Sequence, residues 1–164
     1  MHILDNVILF MFLSFVAGIV VDPILRRLTN YGSLSNRYLF SNPRVYELLG
    51  VRMYKCFLKS SPMGSFNKNI HIPKKGDLET MRAVRNNMAS AEMSHWVGFI
   101  LMLAMTFPVW FYRGAIVGVA YIIFNMLGNL YPCMLQQYNK RRLINLISVI
   151  EKRQKENSGT PNLL

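Results

Sequence analysis

Two residues three apart, Glu92 and His95 in the stretch AEMSHWVGF, are the first in this chain whose types and spacing could do chemistry. On a helix they occupy neighbouring positions of one face, where a carboxylate can orient an imidazole and favour its protonated form. Held in this way, His95 would act as a general base toward a hydroxyl nucleophile, with Trp96 beside it as an interfacial aromatic. The same residues also suit a polar helix end that only meets lipid headgroups. Further along, Gly118, Asn125, Asn129, Pro132 and Gln136 fall within about a quarter to a third of a helix circumference at 3.6 residues per turn. Such a polar stripe serves either as glue between helices, with Gly114 and Gly118 allowing close approach, or as the lining of a pocket. Gln137, Tyr138, Asn139, Lys140, Arg141 and Arg142 follow directly. They offer amide donors for an oxyanion and fixed positive charge for a phosphate or carboxylate.

The elements that must position these groups are apolar. Residues 3–21 read ILDNVILFMFLSFVAGIVV, and after Asp5 and Asn6 no charge or amide interrupts the run before Asp22. That is transmembrane length. The acidic start and the Asp22-Pro23 that follows do not fit a cleaved signal peptide. Two more runs, 93–112 and 114–135, are separated only by Arg113, and Pro108 is expected to bend or end the first of them. An antiparallel hairpin of two spans results. It brings the start of the second span and the end of the third to one face, so Glu92, His95 and Trp96 converge on the cluster from Gln136 to Arg142.

The chain has 19 Lys and Arg against 8 Asp and Glu, a formal charge of +11. Twelve of these cations lie between Arg26 and Arg85 and six follow Tyr138, while Arg113 alone sits in the hairpin. The asymmetry places the long loop and the C-terminus in the cytosol and the N-terminus outside. The charge is therefore read as topology and attraction to anionic headgroups rather than as a nucleic-acid interface. With 52% hydrophobic residues and a mean hydropathy of +0.21, a soluble globular domain is disfavoured. Cys56, Cys133 and three histidines show no zinc spacing, and no glycine-rich phosphate loop or nucleophile elbow occurs.

Residues 22–91 are too polar to span and too apolar for a free linker, so they are expected to lie along the membrane. Asn42-Pro43 starts a helix on which Val45, Leu48, Leu49, Met53, Cys56 and Phe57 share a face, with Arg44, Arg52, Lys55 and Lys59 elsewhere. Residues 60–76 read as a loop, and His71 there is either a second acid or base or an ordinary surface residue. Asp77 can cap a helix that runs into the second span. Leu143, Leu146, Ile147 and Ile150 mark a surface helix over 139–154, before a flexible tail at 157–164. Cys56 suits either palmitoylation or a small buried apolar role. The fold class is thus an all-α integral membrane protein, one domain over 1–156, with three transmembrane helices and interfacial amphipathic helices.

At AEMSHWVGF (91–99) and NLYPCMLQQYNKRRL (129–143) the chain resembles the small membrane acyltransferases of staphyloxanthin biosynthesis, the glycosyl-4,4'-diaponeurosporenoate acyltransferase family. The likeness also takes in YELLGVRMYKCFLKSSPMGSFNKN, so that it covers roughly residues 43 to 150. Glu92, His95 and Trp96 match its first motif. Asn129, Pro132, Gln136, Tyr138, Asn139, Arg142 and Leu143 match its second. The family commonly carries Arg at the positions of Gln137 and Lys140, and Pro at that of Arg141, so acceptor or headgroup recognition is expected to differ. The resemblance implies transfer of a fatty acyl group onto a hydroxyl of a glycosylated or other polar lipid, at the cytosolic face of a bacterial inner membrane. It implies acyl-CoA or an acyl carrier as co-substrate, with no bound cofactor. In that scheme His95 is the base and Glu92 orients it, Asn129 or Asn139 stabilises the oxyanion, and Arg142 holds a phosphate. Trp96, Asn125, Gln136 and Tyr138 complete the substrate site. The alternative is a non-catalytic membrane subunit that binds a partner membrane protein, a further copy of itself, or lipid. A channel fits less well, because only the third span carries amides.

Overall fold

The computed structural model describes residues 3–28, 37–61 and 77–158, and all its regular elements there are helical. His71, most of its expected loop and the end of the tail lie outside these residues, as do the side chains of Asp5 and Asn6. Three helices are long and apolar enough to cross a membrane. Helix α1 (Ile3–Leu28) is followed by two short helices, α2 (Pro43–Leu48) and α3 (Val51–Ser60). The long α4 (Leu78–Arg113) then turns at Gly114 into α5 (Ala115–Asn125), which continues through a π-helical turn (Met126–Leu130) into α6 (Tyr131–Ser158). The chain is an all-α membrane protein in which α4 packs against each of the other long helices.

The helices are longer than the apolar runs that predict them. Helix α1 continues through Pro23 to Leu28, because Asp22, near the end of the apolar run, is satisfied by Arg26 Nε at 2.9 Å and by the Ser90 hydroxyl of α4 at 2.6 Å. Pro108 does not end α4, which reaches Arg113. The turn falls instead on Gly114, whose φ of 91° suits a residue without Cβ. Gly114 is therefore a hinge and not a packing surface, while Gly118 lies against the Trp110 ring. The 36 residues of α4 span about 54 Å at 1.5 Å per residue, well beyond a hydrocarbon core of about 30 Å. Its first turns, capped by Asp77 through the Thr80 N–H at 2.6 Å, extend past the membrane.

The end of α6 packs on that extension. Leu143 and Ile147 are buried against Met81 and Met88, and an Arg82–Glu151 ion pair at 2.6 Å closes the outer end. The expected surface helix over 139–154 is thus the continuation of the third span and covers its apolar row with protein. The expected interfacial helix is broken as well. Gly50 adopts φ 75° and separates α2 from α3. Tyr46, Val51 and Leu58 turn inward onto Met134 and Leu135. Leu48, Met53 and Phe57 stay outward, 86%, 78% and 68% exposed, as suits an apolar face that meets lipid. Cys56 is exposed and not a small buried residue.

Close approach of α1 and α4 rests on Gly18, where an added Cβ would collide with the Ser94 backbone carbonyl. Backbone cannot swing aside as a side chain can. Gly18→Val is expected to cost about 1–3 kcal/mol through overpacking. Thermal unfolding of the detergent-solubilised protein should show this as a loss of several degrees, while the outward-facing Val16→Ala leaves the midpoint unchanged.

Candidate active site

Glu92 is buried, and its carboxylate accepts from Lys140 Nζ at 2.6 Å and from Gln137 Nε2 at 2.7 Å. Trp96 is a further hydrogen-bonding neighbour. Both principal partners come from α6, so the pair ties α4 to α6 at the level where the chain enters the polar zone. No hydrogen bond or ion pair joins Glu92 to His95 among the described residues, which corrects the expectation that Glu92 orients the imidazole. The carboxylate is drawn to a buried ammonium because an unpaired charge there would be far more costly than an ill-oriented ring. The network runs on from Gln137. Its Oε1 accepts from the Tyr46 hydroxyl at 2.6 Å and from the Leu39 N–H at 3.0 Å. Arg141 donates to the carbonyls of Phe40 and Ser41, both at 2.6 Å, and lies over the Tyr38 ring.

His95 is held by the stripe on the third span. The Asn129 side chain lies close enough to the ring to act on it. Nδ1 is buried without a partner. Asn129 Nδ2 donates to Asn125 Oδ1 at 2.9 Å, and Asn125 Nδ2 donates to the Phe99 carbonyl at 3.0 Å. With Nδ2 so engaged, the carbonyl is the atom that Asn129 has left to offer the ring. Asn129 sits within the π-helical turn, where Tyr131 N–H reaches back five residues to the Met126 carbonyl. Such turns recur at functional sites. Past this turn a stripe drawn at 3.6 residues per turn loses its register, and Gln137 and Lys140 join Gln136 on the buried side.

His95, Asn129 and Gln136 line a groove of about 1560 Å³ between α1, α3, α4 and the third span. Most of its wall is apolar, with Phe12, Phe15 and Ile19 from α1, Met53 and Phe57 from α3, and Leu127 beyond. Its polar end carries Asp22, Asn87, Ser90, Ser94, His95 and Gln136. The Phe15 ring packs on His95 with centroids 5.8 Å apart. Gln136 Oε1, like His95 Nδ1, is buried with no partner. The groove can take a long apolar chain, and an imidazole and an amide stand in the wall at its polar end.

The remaining expected site residues lie elsewhere. Asn125 is packed behind Asn129, and Trp96 stacks edge-on against Phe99, centroids 5.9 Å apart. Tyr138 and Arg142 line a separate cleft of about 520 Å³ with Glu47, Arg52, Lys55, Cys56 and Lys59. Asn139 stands behind it, accepting from Lys55 Nζ at 2.6 Å, so the structure does not bring Asn139 to the groove as an oxyanion donor. Composition alone marks Arg52, Lys55 and Lys59 only as the polar side of a helix, and only the packing of α3 on α6 turns them toward Arg142. No cluster of metal-ligating side chains occurs among the described residues.

Two outcomes follow from this electrostatic arrangement. Lys140→Met is expected to cost about 3–5 kcal/mol by leaving the Glu92 carboxylate unpaired, and Glu92→Leu combined with it to recover most of that loss in thermal unfolding. Burial, and then the neighbouring charges of Lys59 and Arg142, hold the Lys55 ammonium down from its ordinary 10.5 to about 8. The charged form is the disfavoured one, so this residue's contribution to stability grows as pH rises from about 8 toward 10.5. Amine-reactive labelling read by mass spectrometry should reach half its plateau at Lys55 near pH 8, and Arg142→Gln should move that midpoint upward.

Comparison with curated proteins and with solved structures finds no match. The family model described as glycosyl-4,4'-diaponeurosporenoate acyltransferase matches residues 27–149. The matched region begins at the end of α1 and takes in α2 to α5, the π-helical turn and α6 as far as its packing on α4. It includes the groove's polar end apart from Asp22, the Glu92–Lys140 pair and the basic cleft. With most of its length matched, the chain belongs to the glycosyl-4,4'-diaponeurosporenoate acyltransferase family.

Proposed function

We propose that the protein is a lipid O-acyltransferase that moves a fatty acyl group onto a hydroxyl of a glycosylated or other polar lipid. The observation that carries this reading is the apolar groove whose polar end holds two buried, unpartnered groups, His95 Nδ1 and Gln136 Oε1. Buried polar atoms beside a cavity are completed by water or by a ligand, and a hydroxylated ligand can take the place of such a water. A hydroxyl of the acceptor supplies what both lack, a proton to share. The family to which the chain belongs carries the name of an acyltransferase acting on a glycosylated carotenoid lipid.

The reaction uses an acyl thioester, acyl-CoA or an acyl carrier, as donor. His95 Nδ1 takes the hydroxyl proton as the oxygen attacks the acyl carbonyl carbon. The carbon–sulfur bond then breaks, the departing sulfur receives the proton from the imidazolium, and an ester and a free thiol result. Asn129 is a positioning residue, fixing the tautomer of His95 from behind. Gln136 offers the acceptor sugar an amide carbonyl and the developing oxyanion an amide N–H from the same side chain. Glu92 acts through packing and not on the reacting atoms. The positive charge on the long loop and on α6 favours the cytosolic face of a bacterial inner membrane for this site, with the N-terminus outside.

The test is a comparative lipid mass spectrum of cells that carry wild type and His95→Ala at matched membrane levels. A lipid heavier by one acyl group is expected with wild type, reduced about 100-fold or more in the variant, the range typical of a lost general base. Identical lipid profiles, with the same proteins retained by both forms, would instead identify a non-catalytic membrane subunit.

A further inference from the structure

The cleft on the far side of α3 has a composition the acyl-transfer reaction alone does not require. Arg52, Lys55, Lys59 and Arg142 converge there, with Glu47 as the one carboxylate in the lining. That carboxylate accepts from the Tyr138 hydroxyl at 2.8 Å and does not form an ion pair with the four cations among the described residues. Positive charge on a cytosolic surface is ordinary, but spread over solvated side chains. Here one of the cations is half-buried and anchored. Lys55 is fixed by its bond to the wholly buried Asn139, whose own Nδ2 has no partner, and it sits close enough to Lys59 and Arg142 to feel their charge. Like charges gathered around an open cleft, with one of them half-buried and pinned by a neutral amide, leave a place for an anion.

Helix α3 is the shared wall of the two cavities. Met53, Tyr54, Phe57 and Leu58 line the groove, and Arg52, Lys55, Cys56 and Lys59 line the cleft. An amphiphile is served by such a pair, with its chain on one side and its anion on the other. We propose that the cleft formed by Arg52, Lys55, Lys59 and Arg142 is a binding site for a phosphate group, carried by a molecule whose acyl chain occupies the adjoining groove. The phosphate site stands on its own cluster of residues, and its link to the groove rests on the acyl-transfer reading. Two molecules present this chemistry: a soluble nucleotide thioester donor and a membrane phospholipid. The cleft's volume of about 520 Å³ lies within the range of about 300–1,000 Å³ usual for small-molecule sites.

The experiment uses the full-length protein in phosphatidylcholine nanodiscs, titrated with coenzyme A in one arm. In the other it is solubilised from phosphatidylglycerol-containing vesicles and its retained lipid is measured by native mass spectrometry. Arg142→Gln and Lys59→Gln, made singly, change exposed side chains and leave the fold intact, and Lys152→Gln with Arg153→Gln removes twice the charge of either at a distance. Saturable coenzyme A binding, weakened about tenfold by each cleft variant and unchanged by the distant pair, supports the site with a soluble donor. One retained equivalent of phosphatidylglycerol, lost in the cleft variants alone, supports it with a phospholipid. Equal binding by wild type and cleft variants in both arms, or equal weakening by the distant pair, overturns it. Because His95→Ala leaves the cleft untouched, it should bind both probes as wild type does, so failure of the acyl-transfer reading and failure of the phosphate site are separately visible.

Discussion

A single buried ion pair, Glu92 with Lys140, sets the geometry on which the rest of the molecule depends. Both side chains are nearly sealed from solvent, so the pair is not a strong net source of stability, since desolvation of two charges offsets most of their attraction. What it contributes is registration. Glu92 cannot slide along α6 without leaving its charge unpaired, and Gln137 from the same helix takes its other oxygen. Gln137 in turn accepts from Tyr46 and Leu39, so the register of the two long helices is passed to the segment that precedes α2. Because α3 follows α2 after the Gly50 break, the wall between groove and cleft is positioned by the same network.

The polar residues of the third span therefore divide by task. Asn125 and Asn129 satisfy each other and the Phe99 carbonyl, which is the behaviour of interhelical glue, yet their chain of bonds ends beside the imidazole of His95. Gln136 differs, because its carbonyl faces no donor. Gln137 and Lys140 are spent on Glu92, and Arg141 on the backbone of residues 40 and 41. Of the six residues from Gln137 to Arg142, only Tyr138 and Arg142 are left to line a cavity.

The excess of positive charge also divides. Eighteen of the nineteen cations lie in the stretches before and after the hairpin and one within it, the asymmetry that the positive-inside rule describes. Four of these residues are gathered by tertiary packing into the cleft beside α3, where charge acts at short range and in partial burial. A groove open along an apolar wall and a cleft with a surplus of cations stand on opposite faces of α3. A pore would need a polar path through the bundle. Instead the far end of the bundle is filled by Val7, Met102 and Tyr121.

The amino-acid sequence by itself determined the number of spans, the hairpin, the cap at Asp77 and the helix start at Asn42-Pro43. These follow from run length, hydropathy and helical spacing, which are local properties. Of the residues expected to converge, Gln137 and Lys140 do meet Glu92, whereas Tyr138, Asn139 and Arg142 lie at the separate cleft. The family, too, was legible in the motifs around His95 and Gln136. Helix ends were less so: α1 passes Pro23 and α4 passes Pro108 because neighbouring helices hold them, and Gly50, visible in the sequence as a breaker, split a helix that periodicity drew as continuous. Partnership was decided only by the tertiary structure. Glu92 stands three residues from His95 and pairs with Lys140, 48 residues away, because burial makes charge neutralisation outweigh proximity along a helix. The π-helical turn shifts the stripe's register, and the packing of α3 on α6 gathers Arg52, Lys55, Lys59 and Arg142 at one cleft. Neither is written in any local pattern, since each depends on which face of one helix meets another.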